Sequence, residues 1–290
     1  MLFLQVIGEG SCCGSYNISS FLSIVGPGAH IDTSCDYGSQ PDIAQAIAAS
    51  GIPREQLWIT SKLNVENISS DMTNALNVLV LEPLQTTYVD LLLIHHAGRM
   101  STDKNPHPPC FDSTLANTAG TYYPCRLQVI PALQALKSQG LIKQWGVSNW
   151  NVRDLTQAYD AYGFYPPINQ IEIHPYFSAS EVISFCNRHG ILVEGYAPFG
   201  DYPRAQDVSD PIIAQIAANH SATPGQVILT YNMAIGADIV IPRSHTPAHQ
   251  VENFNLFTNP VVLSEFEILA IGSARANKTK VYATECQPWC

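Results

Sequence analysis

The chain has 290 residues and a net charge of −10, with 46% hydrophobic and 13% charged residues. This composition can bury a large core, which argues against a disordered protein. The negative charge argues against nucleic acid and anionic membrane surfaces as partners, because both require basic patches. No apolar run reaches the roughly 18 residues of a membrane span, so we expect no membrane association.

Strand-like and helix-like segments alternate along the chain with short connections. The glycines after the first strand are spaced G-x-G-x-x-x-G, which is not the spacing of a dinucleotide-binding loop. The predicted strands are Met1–Ile7, Ala29–Asp32, Leu57–Lys62, Tyr88–His95, Gln144–Ser148, Ile168–Glu172, Leu192–Tyr196 and Asp238–Pro242. The predicted helices are Asn17–Val25, Gln40–Ala49, Asp71–Leu81, Cys125–Ser138, Val152–Tyr162, Ala179–His189, Ile212–Asn219 and Pro224–Met233.

Eight strands and about as many helices predict an α/β protein with the (β/α)₈ TIM barrel fold. Since composition does not shift along the chain, we expect one domain over residues 1–290. The segment Gly98–Pro124 interrupts the alternation after strand four and is rich in Pro, Ser, Thr and Asn. A loop of this length in a compact domain is usually functional, often a lid.

Four ionisable side chains fall at the ends of three successive predicted strands. Asp32 ends one strand and Tyr37 follows it, whereas Lys62 and His95 end the next two strands. Each alone is more often a turn cap, a packed ring or a solvated amine. Catalytic groups of a barrel lie at the C-terminal ends of its strands, so the four together predict one pocket.

Six motifs resemble, in order, the signatures of the aldo-keto reductase superfamily, and together they span nearly the whole chain. They are His30-Ile31-Asp32-Thr33 with Tyr37-Gly38, Ile59-Thr60-Ser61-Lys62-Leu63, Asp90-Leu91-Leu92-Leu93-Ile94-His95, Gly146-Val147-Ser148-Asn149-Trp150, Asn169-Gln170-Ile171-Glu172-Ile173-His174-Pro175-Tyr176, and Val240-Ile241-Pro242-Arg243-Ser244 with Glu252-Asn253. The resemblance implies an NADPH-dependent reductase of aldehydes and ketones on a (β/α)₈ barrel, without a Rossmann domain.

The chemistry of carbonyl reduction suits the four predicted catalytic residues. A carbonyl that accepts hydride needs a proton donor, and we expect Tyr37 to fill that role. Its ordinary pKa of about 10 is high for the task, but a cation at about 4 Å contributes roughly 4 kcal/mol at an effective dielectric of 20. Lys62 would supply the cation, Asp32 would orient it and His95 would position the carbonyl. The residues alone leave His96 as an alternative to His95, whereas the resemblance assigns the same four roles and favours His95.

The resemblance also implies the contacts to the nicotinamide. Ser148, Asn149 and Gln170 would hydrogen-bond the carboxamide, and Tyr196 would stack on the ring. Without the family context, Ser148 and Asn149 are equally a helix cap. Tyr196 is then a residue packed near the barrel mouth.

Cofactor preference depends on the segment from Arg243 to Asn253. The resemblance places Arg243 and Ser244 at the adenosine 2′-phosphate, and Glu252 and Asn253 at the adenine. His249 stands where many members carry an arginine, and a neutral imidazole binds phosphate less strongly than a guanidinium. We therefore expect the chain to prefer NADPH over NADH, but by a smaller margin than family members that carry both cations. NADH is the weaker alternative. The alternative for Arg243 and His249 is a solvated surface.

The substrate is expected to be a small-molecule carbonyl compound of unpredicted identity. His96 occupies the position where the family usually carries an aromatic that borders the substrate. Phe111 and Trp289 could line an apolar pocket, although loop aromatics often only anchor their loop.

The eight cysteines include no Cys-x-x-Cys pair, so we expect no metal site. Cys110 with Cys125, and Cys286 with Cys290, could pair in an oxidising compartment. The N-terminus lacks a basic leader. We expect a cytoplasmic protein, monomeric or weakly dimeric, with a secretory compartment as the alternative.

Two other functions are compatible with these residues. One is a nicotinamide-binding barrel that serves as a regulatory or redox-sensing subunit, which the long loop and the cysteines leave room for. The other is an aldolase that forms a Schiff base on Lys62. Retention of all four pocket residues argues against the regulatory subunit.

Overall fold

The computed structural model describes residues 6–7, 9–10, 17–64, 71–97, 123–200 and 207–273. Within these ranges the strands form one parallel sheet in which β3 to β9 follow one another in chain order. The strands are β1 (Val6–Ile7), β2 (Glu9–Gly10), β3 (His30–Asp32), β4 (Trp58–Leu63), β5 (Val89–Ile94), β6 (Ile142–Ser148), β7 (Ile168–Glu172), β8 (Leu192–Tyr196) and β9 (Ile239–Ile241).

The N-terminal segment closes this sheet into a barrel. β1 pairs with β9 through Val6 and Ile239, and β2 pairs with β3 through Glu9 and Ile31. Because one residue separates β1 from β2, this segment contacts both edges of the sheet. The predicted (β/α)₈ barrel is therefore confirmed, with β1 and β2 together in the place of its first strand.

Helices surround the sheet, and the eight predicted helices are found within two residues of their expected bounds, the third being completed by a π-helical turn at Asn77–Leu81. Two helices near the C-terminus were not predicted. The α-helices are α1 (Ile18–Val25), α2 (Gln40–Ser50), α3 (Met72–Leu76), α4 (Tyr123–Ser138), α5 (Val152–Tyr162), α6 (Ser180–His189), α7 (Pro211–Asn219), α8 (Pro224–Ala234), α9 (Pro247–Phe254) and α10 (Glu265–Ser273).

Local sequence signals explain where these helices begin and end. The side chain of Asn151 accepts a hydrogen bond from Asp154 N, and Asp154 bonds back to the Asn151 amide, so this capping box starts α5. Gly163 ends the same helix with a φ of 74°, a left-handed conformation that glycine adopts at little cost.

The barrel interior changes from apolar to polar along its axis. Leu91, Leu93 and Ile168 form a buried cluster inside the barrel. Gly146 lies against this cluster, and a Cβ there would approach Leu93 Cδ2 and the Ile168 carbonyl oxygen to 2.8 Å. Side chains nearer the C-terminal ends of the strands are polar, among them the buried Asp32, Lys62 and Gln170, so the interior is polar at that mouth of the barrel.

Several expectations lie outside the described residues. They concern residues 98–122 of the predicted loop, the aromatics Phe111 and Trp289, and the side chains of Cys110, Cys125, Cys286 and Cys290. Cys35 and Cys186 are not part of a disulfide. In the described part of the chain, no helix has the length and apolar character to cross a membrane. The single-domain organisation stays a prediction.

Candidate active site

Three neighbouring strands bring the four predicted catalytic residues to one end of the barrel. Asp32 is the last residue of β3, and Tyr37 follows in the turn before Gly38, whose φ is 67°. Lys62 lies next to the end of β4, and His95 directly follows β5. Alternation of side chains along the parallel strands points Asp32 and Lys62 into the barrel.

Lys62 is the centre of this arrangement and is 0% exposed. Its Nζ donates to Asp32 Oδ1 at 2.5 Å, to the Thr33 carbonyl oxygen at 2.9 Å and to Tyr37 Oη at 3.5 Å. Tyr37 Oη lies 3.3 Å from His95 Nε2. The structure thus places a phenol between an ammonium and an imidazole.

Burial lowers the pKa of His95, and the Lys62 ammonium lowers it further, while Asp36 opposes the shift. The imidazole is therefore neutral at neutral pH. Its Nδ1 lies 3.3 Å from Ser34 Oγ and 3.6 Å from Asp36 Oδ2. When Ser34 donates to Nδ1, the hydrogen of the neutral ring is on Nε2, which faces Tyr37.

Sequence reasoning missed Ser34 and Asp36, although both lie in the turn that joins Asp32 to Tyr37. Asp36 accepts a short hydrogen bond from the side chain of Asn64, which follows β4. Burial acts to raise the pKa of Asp36, but its polar neighbours, among them Asn64, together lower it. A carboxylate therefore borders the outer side of His95.

The predicted nicotinamide contacts form a connected group beside the four residues. Ser148 Oγ donates to the backbone oxygen of Gln170 at 3.0 Å. Asn149 Nδ2 donates to Ser148 Oγ and to the His95 carbonyl oxygen, both at 3.0 Å. Tyr196 Oη donates to Asn149 Oδ1 at 2.8 Å, and Asn149 has a φ of 62°. These bonds fix the Tyr196 ring at the barrel mouth.

The side chain of Gln170 also makes two contacts that the sequence did not indicate. Its Nε2 donates to Asp32 Oδ2 at 2.8 Å and to Glu194 Oε2 at 3.0 Å. This amide nitrogen is directed into the barrel, which leaves Oε1 for the predicted contact with a carboxamide.

The residues predicted to bind the adenosine and its 2′-phosphate lie beyond β9, in the segment before α9 and within α9. Arg243 is partly exposed and His249 is exposed. Ser244 is buried, and its Oγ accepts from the backbone N–H of Thr246 at 3.1 Å. Glu252 accepts a short hydrogen bond from Thr223 Oγ1 at the start of α8. Asn253, the other residue predicted to contact the adenine, is buried.

Two further features lie near the predicted catalytic residues. The ring of His96 stacks on the ring of His95 with 4.7 Å between centroids, which places His96 next to the predicted catalytic group. A cavity of about 280 Å³ is lined by Asn17, Ile18, Ser19, Tyr37, Gly38, Asp42 and Ala46. Among the described residues, no cluster of His, Cys, Asp and Glu has the form of a metal site.

A parallel barrel with these polar groups at its mouth has the form of a barrel enzyme. The chain belongs to the aldo/keto reductase family, whose family model matches residues 26–274. Members of this family are oxidoreductases that act on carbonyl compounds and generally use a nicotinamide cofactor.

Curated relatives agree with this assignment. Aldo-keto reductase family 1 member A1 from Homo sapiens is 32% identical over 241 residues, which cover 79% of this chain and 72% of the relative. An aldo-keto reductase from Mycolicibacterium smegmatis is 32% identical over 249 residues, covering 86% of this chain and 80% of the relative.

Solved structures give the same result for the fold. An aldo/keto reductase from Brucella melitensis has a TM-score of 0.76 and 31% identity, and the match covers 92% of each chain. The aldose reductase of Schistosoma japonicum has a TM-score of 0.77 and 27% identity, and covers 95% of this chain and 90% of its own.

Proposed function

We propose that this chain reduces aldehydes or ketones with NADPH and that Tyr37 donates the proton. One observation carries the proposal. The Tyr37 hydroxyl lies 3.5 Å from Lys62 Nζ and 3.3 Å from His95 Nε2, at the mouth of the barrel. A partly exposed phenol in this position can meet a substrate oxygen while its two partners remain buried.

Proton donation is the step that the chain itself must perform. The nicotinamide, when bound, supplies the hydride to the carbonyl carbon. Tyr37 then donates its O–H proton to the oxygen, on which negative charge develops. The Lys62 ammonium stabilises the resulting phenolate by roughly 5 kcal/mol at 3.5 Å and an effective dielectric of 20, before desolvation is subtracted.

Asp32 and His95 position the reacting groups. Asp32 Oδ1 and the Thr33 carbonyl oxygen hold Lys62 Nζ in place, so the ammonium faces Tyr37 without rearrangement. Neutral His95, with its hydrogen on Nε2, can donate to the same carbonyl oxygen that Tyr37 protonates.

The side chains beside the four residues fit a nicotinamide. Ser148, Asn149 and Gln170 Oε1 offer the donors and acceptors that a carboxamide requires, and Tyr196 presents an aromatic ring whose hydroxyl is fixed by Asn149. These contacts support the assignment of Ser148, Asn149, Gln170 and Tyr196 to the nicotinamide end of the cofactor.

The start of α9 fits the phosphate of NADPH. Arg243 and His249 lie beside a helix N-terminus whose capping residue, Thr246, makes no side-chain cap hydrogen bond. Cationic or hydrogen-bonding side chains at a helix N-terminus favour phosphate. We propose that NADPH is preferred over NADH, and that the preference is smaller than in family members that carry an arginine at the position of His249.

The alternative of a Schiff-base aldolase is disfavoured by the surroundings of Lys62. Attack on a carbonyl needs a free amine lone pair. Lys62 Nζ instead donates to Asp32, Thr33 and Tyr37, and its ion pair with Asp32 is 2.5 Å long. Small-molecule substrates, a monomeric or weakly dimeric state and a cytoplasmic location stay predictions.

The proposal is tested by measuring NADPH oxidation with a panel of aromatic and aliphatic aldehydes and ketones. We expect turnover with at least one aldehyde and a lower Kd for NADPH than for NADH. Equal Kd values would contradict the cofactor assignment. Tight NADPH binding without turnover across the panel would instead support a regulatory subunit, and a borohydride-trapped adduct on Lys62 would support the aldolase.

A further inference from the structure

A second carboxyl group lies in the barrel beneath the Lys62–Asp32 pair. Glu194, on β8, is 0% exposed, and its Oε2 accepts from Gln170 Nε2 at 3.0 Å. The same nitrogen donates to Asp32 Oδ2 at 2.8 Å. One amide of β7 therefore bridges two buried carboxyl groups, of which only Asp32 contacts Lys62.

The charges around Glu194 determine its protonation state. The titratable groups that face it are Asp32 and His30 on β3 and Lys62 on β4. Lys62 is the cation of this group and is already paired with Asp32. An ionised Glu194 would be a buried charge without a cation of its own, which is unfavourable.

The other elements packed around Glu194 add no cation that would stabilise its ionised form. The neighbouring β9 consists of Ile239–Ile241 and contributes no charge. Burial and the charge of Asp32 raise the pKa of Glu194 to about 8, and burial lowers the pKa of His30 to about 4. Asp90, which also acts on His30, is paired with Arg54 and Lys143. At neutral pH Glu194 and His30 are therefore both uncharged.

Resting on the proposed function, we propose that neutral Glu194 is a positioning residue for carbonyl reduction: through Gln170 it holds the Asp32 carboxylate against Lys62. Glu194 Oε1 lies 3.5 Å from His30 Nε2, so a proton on Oε1 faces an uncharged imidazole. Ionisation of Glu194 adds a negative charge beneath the Lys62–Asp32 pair. This charge opposes the stabilisation of the Tyr37 phenolate by Lys62, so reduction slows.

The test is the pH profile of kcat for aldehyde reduction at saturating NADPH, in the wild type and in Glu194→Gln. The amide imitates the neutral carboxyl but cannot ionise. We expect the wild-type kcat to fall by up to tenfold per pH unit above about pH 8. We expect Glu194→Gln to keep kcat at pH 7 within about threefold and to lose this decline or shift it by at least about one pH unit.

Glu172→Gln is the matched control, because Glu172 is also a buried glutamate and lies on the adjacent strand, where it contacts His174. We expect this variant to keep the wild-type decline. Wild-type turnover with an unchanged decline in Glu194→Gln would overturn the inference alone. Absence of wild-type turnover would overturn the proposed function and, with it, the inference.

A measurement on the wild type covers the case in which Glu194→Gln does not fold. Infrared spectra of protein labelled with ¹³C-glutamate should show a protonated carboxyl band at pH 7 that disappears with a midpoint near pH 8. Glu194→Met, which is also uncharged, should lack the band. A wild type without this band at pH 7 would overturn the inference.

Discussion

At the residue scale, the Lys62 ammonium is the group on which the proposed chemistry most depends. Replacing Lys62 by methionine removes the charge 3.5 Å from the Tyr37 hydroxyl and leaves the buried Asp32 without its cation. We predict a loss of about 10²-fold or more in kcat for aldehyde reduction.

Lys143→Met is the control for Lys62→Met, because Lys143 also pairs with a buried aspartate but is 50% exposed and lies at the other end of the barrel. We predict that its kcat stays within about twofold of the wild type. Equal losses in the two variants would mean that the effect of Lys62 is one of stability rather than of catalysis.

His30 gives a prediction for stability against pH. Burial lowers its pKa from 6.5 to about 4, so between these values the unfolded chain binds a proton that the folded chain does not. The free energy of unfolding should therefore fall as the pH decreases from 6.5 to 4, by about 3 kcal/mol from this residue. Urea denaturation should show a smaller fall in His30→Gln, and an identical fall in both proteins would contradict the prediction.

Some site residues could be recognised from the sequence and others could not, and the difference has a physical cause. Asp32, Lys62 and His95 lie at or next to the ends of strands, and that position can be recognised from each strand's own sequence. The Gln170–Asp32 hydrogen bond joins side chains 138 residues apart across the barrel. Such a contact depends on barrel closure and on which strands face one another, and local patterns do not contain that information.

At the scale of elements, Asp90 connects β5 to its neighbours at the end of the barrel opposite the site. Its carboxylate accepts from the backbone N–H of Ile59 on β4 at 2.9 Å, from Arg54 at 2.8 Å and from Lys143 at 2.8 Å. The aspartate is almost fully buried. Its removal leaves a buried backbone donor and a partly buried guanidinium without this acceptor.

We predict that Asp90→Ala lowers the free energy of unfolding by about 3 kcal/mol or more. Removing one partner of a buried ion pair leaves the other charge desolvated without a compensating attraction. Urea denaturation measures the change, and the kcat of the folded variant should stay within about threefold of the wild type. Lys143→Met should change stability by less than about 1 kcal/mol. A stable Asp90→Ala protein would show that water replaces the carboxylate at little cost.

Segments with a clear apolar period were predicted correctly. The two helices that were missed show where prediction from periodicity fails. In α10, Phe266 and Leu269 are 85% and 70% exposed whereas Ile271 is fully buried. Apolar residues on both faces of a helix erase the period on which the prediction depends. For α9, Thr246 followed by Pro247 is a helix-start signal in the sequence, but no helix was predicted there.

At the scale of the whole molecule, barrel closure accounts for the position of the site. The count of alternating strands and helices predicted the fold, but not that residues 6–10 would split into two short strands to reach β9 and β3. Closure brings β3, β7 and β8 around one axis, and only then do Asp32, Gln170 and Glu194 meet. Substrate selectivity was not predictable, since the segments expected to line the pocket lack a periodic pattern.

The central claim is that Tyr37 is the proton donor, and single-turnover NADPH oxidation by wild type and Tyr37→Phe with one reactive aldehyde tests it most directly. The Kd of each protein for NADPH is measured first, so that a binding defect is recognised. We predict that the rate constant falls by about 10²- to 10⁴-fold in Tyr37→Phe while the Kd changes by less than about twofold. A Tyr37→Phe protein that binds NADPH normally and reduces the aldehyde within about threefold of the wild-type rate would contradict the claim.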